Sequence, residues 1–340
     1  MIERRHFIKS AAAAGFTSAL LIGRASAQVA RPVAKGVYAA PGLSFSALFL
    51  ADRAGLWEKN GVTADLKQVQ GGPLTMVALT NREAIFGGVA STDPVVGWSK
   101  GIKTLAVGAF TGALAMQFTA RKDWMSKVGV SPGSSLADKL KALKGARIGA
   151  STIGGGPAQY TRYLARTAGL DPERDMKILA VGFGAARMAA LRTNQVDMTC
   201  GDAPEADQVE LEGFGELFLN CPHEVPIFKE FPYTVVLVTP EVANDQPDLV
   251  RRVAQTLGQA NDMFATRFGE TVDILKKQFS TVPAKAMELA LERDRDAYPR
   301  GCRMTPAMWE NNIKVAVDTK MIAEPLPTQE GVLWTNKFLA

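Results

Sequence analysis

Histidine and cysteine are scarce. His6 and His223 are the only histidines among 340 residues, and Cys200, Cys221 and Cys302 the only cysteines. They show no metal-ligand spacing, and no H-E-x-x-H, C-x-x-C or calcium-loop pattern occurs. A serine or cysteine nucleophile needs a positioned base and an orienting acid, and no motif supplies them. The expectation is a protein that is not an enzyme and holds neither metal nor cofactor. Its cysteines are expected to be buried free thiols, although Cys200 and Cys221 could pair in an oxidising compartment. Beyond the first residues no apolar run is long enough to span a bilayer.

Those first residues read as an address. Arg4-Arg5-His6-Phe7-Ile8-Lys9 is a twin-arginine pattern, followed by a weakly apolar run from Ala11 to Ile22 and the small-residue site Ala25-Ser26-Ala27. Residues 1–27 are therefore expected to be a twin-arginine signal peptide, and the mature chain a soluble periplasmic monomer. Removing Arg4, Arg5, Lys9 and Arg24 together with Glu3 lowers the formal net charge from +5 to +2. That balance excludes a broad nucleic-acid or membrane-binding face.

The remainder alternates strands and helices. Lys35 to Ala39 and the alternating Thr63 to Val69 are strands, and Ser44 is expected to cap a helix from Phe45 to Lys59. Leu74 to Thr80 is helical, Ala84 to Gly88 a buried strand, and Lys103 to Phe110 and Ala115 to Arg121 further strands. From Leu136 the grammar restarts, with strands at Arg147–Ala150, Met176–Val181 and Asp197–Cys200. Matched points keep a nearly constant offset: Leu74 pairs with Ala185, and Pro94 with Pro204. The pattern predicts two like α/β lobes, then a strand in Phe231–Thr239 and helices at Asp248–Phe268, Glu270–Phe279, Ala284–Arg293 and Pro306–Asp318.

Parallel strands joined by helices carry their ligand loops at the strands' carboxyl ends. Six such loops are rich in glycine, proline, hydroxyls or aspartate. In the first lobe they hold Gly42, Ser44 and Phe45, then Gly71, Gly72 and Pro73, then Ser91, Thr92 and Asp93. In the second they hold Ser151, Thr152, Gly154, Gly155 and Gly156, then Phe183 and Gly184, then Asp202 and Pro204. The stretch Arg147 to Tyr160 is strand, glycine-rich loop and helix start, with Pro157 suited to the first turn. It fits neither nucleotide motif: Gly155 stands where a phosphate loop needs lysine, and Gln159 where a dinucleotide fingerprint needs its third glycine. Asp93 and Asp202 at equivalent helix starts are read as caps, with a carboxylate pair for acid–base work as the alternative.

Assembled in this order, Ser46 to Val62, the Gly71-Gly72 turn, Ala142 to Gly149 and Ala190-Leu191…Val196-Asp197 resemble the substrate-binding proteins of bacterial ABC importers. The closer match is the nitrate/sulfonate/taurine group, which also includes thiamine-precursor binders. Ala142 and Asn194 depart from the group's usual acidic residue and glycine. The resemblance implies a two-lobed periplasmic binding protein type II fold, each lobe a mostly parallel sheet flanked by helices, with two hinge crossovers near Gln117–Arg121 and Tyr233–Thr239. Lobe 1 would comprise residues 28–118 and 236–340, and lobe 2 residues 119–235. It further implies hinge closure on a small ligand and docking on a membrane permease driven by an ATPase.

Backbone N–H groups at helix starts together with Ser44, Ser91, Thr92, Ser151 and Thr152 suit a small organic anion, sulfonate- or carboxylate-like. No arginine falls within the six loops. An aromatic or heterocyclic solute such as a pyrimidine thiamine precursor, stacking on Phe45 or Phe183, is the alternative.

Overall fold

The computed structural model describes residues 31–339. The expected signal peptide lies outside them. Ten strands form two five-stranded sheets. The first contains β1 (Val33–Tyr38), β2 (Thr63–Gln68), β3 (Phe86–Ala90), β4 (Leu105–Thr111) and β10 (Thr234–Val238). The second contains β5 (Met116–Arg121), β6 (Arg147–Ala150), β7 (Lys177–Ala180), β8 (Met198–Asp202) and β9 (Gly215–Asn220).

The strand orders are β2-β1-β3-β10-β4 and β7-β6-β8-β5-β9, the same plan used twice. In each sheet the first three strands are parallel and the fourth runs against both its neighbours. That antiparallel strand is the one that has just arrived from the other sheet. The repeat read in the sequence is thus a repeat of topology, with one strand exchanged each way.

The exchange places the crossings just ahead of β5 and β10. Gly112–Ala115 leads into β5, and the two connections hydrogen-bond to each other through Leu114 N to Phe228 O and Phe231 N to Gly112 O, both at 2.9 Å. Lobe limits at 118/119 and 235/236 would cut β5 and β10, whereas pairing keeps β5 whole in the second sheet and β10 whole in the first.

Two large cores follow from the two sheets. Phe86, Phe110, Trp309 and Trp334 fill the first, and Phe118, Tyr160, Phe218, Phe228 and Phe231 the second. Burying each such ring contributes a few kcal/mol, so truncating one costs about 3–5 kcal/mol. The C-terminal helices Pro247–Thr266, Phe268–Gln278, Ala284–Arg293 and Pro306–Asp318 return largely to the first core. Cys200, Cys221 and Cys302 are buried and free, as expected.

Three local readings need correction. The helix expected from Phe45 to Lys59 is a 3-10 turn Leu43–Phe45, a helix Ser46–Arg53 and a short helix Leu56–Lys59. Gly55 at φ +64 interrupts it, a conformation open to glycine at little cost. Ser44 caps nothing, because its hydroxyl is engaged elsewhere. The strand β9 and the helix Lys122–Val128 were not legible, since neither carries a strong apolar period.

Candidate functional site

The carboxyl ends of β1, β2, β3, β6, β7 and β8 border one cleft of about 1080 Å³. It is somewhat larger than the usual range of small-molecule sites. Every loop residue singled out above lines it except Ser91 and Thr92. Those two are buried at 0% and 5% exposure, with Ser91 Oγ 3.5 Å from the Tyr160 hydroxyl. They support the second-lobe helix rather than face the cleft.

Close backbone approach explains several glycines. A Cβ on Gly72 would lie 2.1 Å from the Asp93 carboxyl, so glycine there lets Asp93 reach the start of the helix Gly72–Thr80. A Cβ on Gly155 would meet Thr152 Oγ1 at 2.5 Å, and one on Gly42 would meet Asp202 Oδ2 at 2.7 Å. The opening loop and its answering turn are therefore packed for proximity as well as for free N–H groups.

The two phenylalanines separate. Phe45 is 4% exposed, lies over Gly88 and meets the Phe110 ring edge-on at 5.8 Å. It is part of the cleft floor. Phe183 is 43% exposed, between Gly182 at φ +80 and Gly184 at φ +51, which leaves a free aromatic face at the second-lobe rim.

Asp93 and Asp202 are not caps. Asp202 ends β8 and accepts from Ser44 Oγ at 2.6 Å and from the Tyr233 hydroxyl at 2.7 Å. Burial pushes the Tyr233 phenol well above its ordinary value, and the Asp202 charge adds to this, so Tyr233 stays a donor. Asp93 lies deep in the cleft. Burial pushes its carboxyl up to about 7, against a smaller opposing effect of a backbone hydrogen bond at Ala90. Near neutral pH it can donate or accept.

Two arginines line the cleft that the loop reading missed, because they sit on the helix Ala185–Arg192 rather than in its loop. Arg187 is buried and forks onto Glu205 at 2.7 and 2.5 Å, with a third bond to Cys200 O at 2.9 Å. Burial pulls its pKa down, but the Glu205 carboxylate outweighs that and keeps it a cation. Arg192 pairs with Glu212. Both guanidinium groups are thus already matched.

Sequence reading also missed Tyr38, Gln68, Gln208 and Tyr233, and Phe279 from the turn after the helix Phe268–Gln278. The polar ones lie beside the loops it did find. Phe279 carried no signal, because its place in the cleft comes from docking on Phe49 at 5.5 Å, far away in the chain. Among the described residues no cluster of three metal-ligating side chains occurs. His223 lies outside the cleft lining.

The pattern of the NMT1-like family matches residues 40–274. No curated protein matches the sequence. Among solved structures, a Bordetella bronchiseptica RB50 protein superposes with a TM-score of 0.74 at 15% identity, covering 90% of this chain and 95% of its own. The alkanesulfonate-binding protein SsuA of Xanthomonas axonopodis pv. citri, bound to MOPS, has a TM-score of 0.66 at 20% identity, covering 88% and 96%. The periplasmic nitrate-binding protein NrtA of Synechocystis PCC 6803 has a TM-score of 0.66 at 13% identity, covering 85% and 80%. At these identities the likeness is one of fold, that of periplasmic binding proteins.

Proposed function

The chain belongs to the NMT1-like family, and on that premise we propose that it is the solute-binding component of an ABC importer. It works in the periplasm as a monomer, exported through the twin-arginine signal read in residues 1–27. A solute entering the cleft contacts loops of both sheets, so it favours the closed arrangement over the open one, and the closed form docks on the permease with its ATPase. The cleft lining contains no histidine and no cysteine, so a histidine-activated nucleophile or a cysteine nucleophile has no residue there.

The ligand we propose is a planar, neutral or weakly basic heterocycle that carries hydrogen-bond donors. One observation carries this choice. The cleft holds two carboxyl groups that form no ion pair, Asp93 and Asp202, the second within the field of the buried Arg187, while its two guanidinium groups are already paired with Glu205 and Glu212. A bound sulfonate or carboxylate would face the Asp202 carboxylate and, as pH rises through about 7, that of Asp93 as well, with no unpaired guanidinium in the lining to offset them, a costly juxtaposition in a desolvated site. Phe183 and Phe279 supply aromatic faces, and Gln68 and Gln208 supply donors and acceptors. The organic anion remains the second reading, favoured by the helix starts at Gly72, Gly156 and Ala185, which border the cleft.

A thermal-shift screen of pyrimidines, sulfonates, carboxylates and nitrate separates the two. At a hundredfold excess over Kd, one-site binding adds ~2.7 kcal/mol and raises Tm by several degrees. The expected response is to pyrimidines and not to sulfonates. Silence across the whole panel would count against the binding-protein reading itself.

A further inference from the structure

Behind the cleft, close to the two crossings, lies a buried polar cluster that the ligand site does not use. Arg293 forks onto Asp207 at 2.7 and 2.9 Å and reaches Gln117 Oε1 at 3.3 Å. Gln117 Nε2 donates to Asp294 Oδ2 at 2.5 Å, and Asn220 Nδ2 to Asp294 Oδ1 at 3.3 Å. His223 Nε2 stands 3.7 Å from that same oxygen. Asp207 and Asp294 are 1% and 4% exposed.

The members come from different parts of the molecule. Gln117 is on β5, Asn220 ends β9, and Asp207 is on the helix Glu205–Glu212, all on the second-sheet side. Arg293 and Asp294 follow β10, after the chain has rejoined the first sheet. Their neighbours divide accordingly, since Leu291 and Tyr298 sit in the first core and Ala297 in the second. Gly112 N, on the first crossing, donates to Ala297 O at 2.8 Å. Residues 293–297 therefore bridge the lobes without a covalent crossing of their own.

We infer that this cluster is the fulcrum of lobe movement, a non-covalent third connection beside the two crossings that stays intact while the cleft opens and closes. The two sides of the molecule part at unequal cost. Separating Arg293 from Asp207 would leave the buried Asp207 carboxylate uncompensated, and such separations are strongly unfavourable. The contacts on the cleft side, Ser44 to Asp202 at 2.6 Å and the 3.5 Å approach of the Ser91 and Tyr160 hydroxyls, separate no ion pair when they part, and water can replace them. Movement therefore breaks the contacts in front and turns about the cluster behind. This holds the motion to one axis, so that the loops of both lobes meet in a single register. The inference rests on the two-lobed closure proposed above.

Pulsed electron–electron resonance between spin labels on Lys67→Cys and Arg174→Cys tests it on the full chain, with the buried native cysteines left unlabelled. Both labelled positions are exposed, one on each lobe. In the otherwise native chain the distance distribution is expected to be narrow. Ser44→Ala should add a second, longer but equally narrow population, because the axis is intact. Arg293→Met should replace narrow populations with a broad one. A distribution for Arg293→Met that superimposes on the native one overturns the fulcrum. If Ser44→Ala and Arg293→Met both leave the distribution unchanged, the lobes do not swing, and the closure reading fails together with the inference. Circular dichroism on the same samples confirms folding. Should Arg293→Met not fold, Arg293→Lys, which keeps the charge but loses the fork, replaces it with an intermediate broadening expected.

Discussion

Ser44 Oγ donates a 2.6 Å hydrogen bond to Asp202 Oδ2, joining the turn after β1 to the end of β8 across 158 residues of chain. The same carboxylate receives the Tyr233 hydroxyl, which lies just before β10. One second-lobe group thus touches the first lobe and the returning crossing together. Hydrogen bonds to a charged group contribute about 1.5–3 kcal/mol when buried, and less where water can substitute. Ser44→Ala is expected to weaken solute binding by roughly tenfold, about 1.4 kcal/mol, with little change in Tm. Titration calorimetry with the solute that the screen identifies checks this. Undiminished affinity would detach the contact from closure.

Asp93 gives the protein a pH dependence of definite sign. Its folded-state value is raised from 3.8 to about 7, so the fold prefers the protonated acid. The stability that protonated Asp93 contributes is complete below 3.8 and is lost as pH rises through about 7. Asp93→Asn is permanently neutral and keeps it. The stability of the variant relative to the native chain should therefore grow with pH across that interval and level off above it. Allowing for water in the cleft, the growth should amount to about 2 kcal/mol. Urea midpoints measured at several pH values read it directly, and a gap independent of pH would refute the assignment.

Gly201 is the seat of the paired arginine. A Cβ there would stand 2.1 Å from Arg187 Cζ, and the guanidinium cannot retreat while it forks onto Glu205. Gly201→Ala should cost about 3 kcal/mol, combining overpacking with disturbance of a buried ion pair. The check is a denaturant midpoint, with the m-value unchanged. A loss below about 0.5 kcal/mol, the ordinary range of surface changes, would mean the side chain has room to move aside.

Phe183 and Phe45 should respond in opposite ways. Phe183 is exposed and Phe45 buried. Phe183→Ala is expected to leave Tm nearly unchanged and to weaken binding of an aromatic solute by up to about tenfold, the scale of an aromatic pair. Phe45→Ala empties core volume and should cost about 3–5 kcal/mol of stability. An aromatic solute bound equally well by Phe183→Ala would remove stacking from the second-lobe rim.

Much of the architecture was legible because it is local. Arg147–Ala150, Ala284–Arg293 and Pro306–Asp318 have the bounds their residue patterns indicate, since hydrophobic period, proline at a first turn and glycine at an end act within a few residues. The loops that border the cleft were visible for the same reason, as glycine and hydroxyl clusters after short apolar runs. The break at Gly55 was missed, because Leu48, Ala51 and Leu56 keep a helical period on both sides of it.

What the chain order could not carry was partnership. Asp202 looked like a cap until folding brought Ser44 and Tyr233 to it, and Arg187 was overlooked until Glu205 and Gly201 closed around it. Phe183 and Phe45 have similar surroundings in the sequence, and only packing buried one and freed the other. Gln117 and Asp294 lie 177 residues apart yet share a hydrogen bond behind the cleft. The sequence by itself determined two repeated α/β units and which loops edge the space between them, because backbone propensity and periodicity are short-range. Tertiary structure alone decided the charge of that space and what ties its walls together. Desolvation and ion pairing depend on which side chains are brought within a few ångströms, and distant segments supply them.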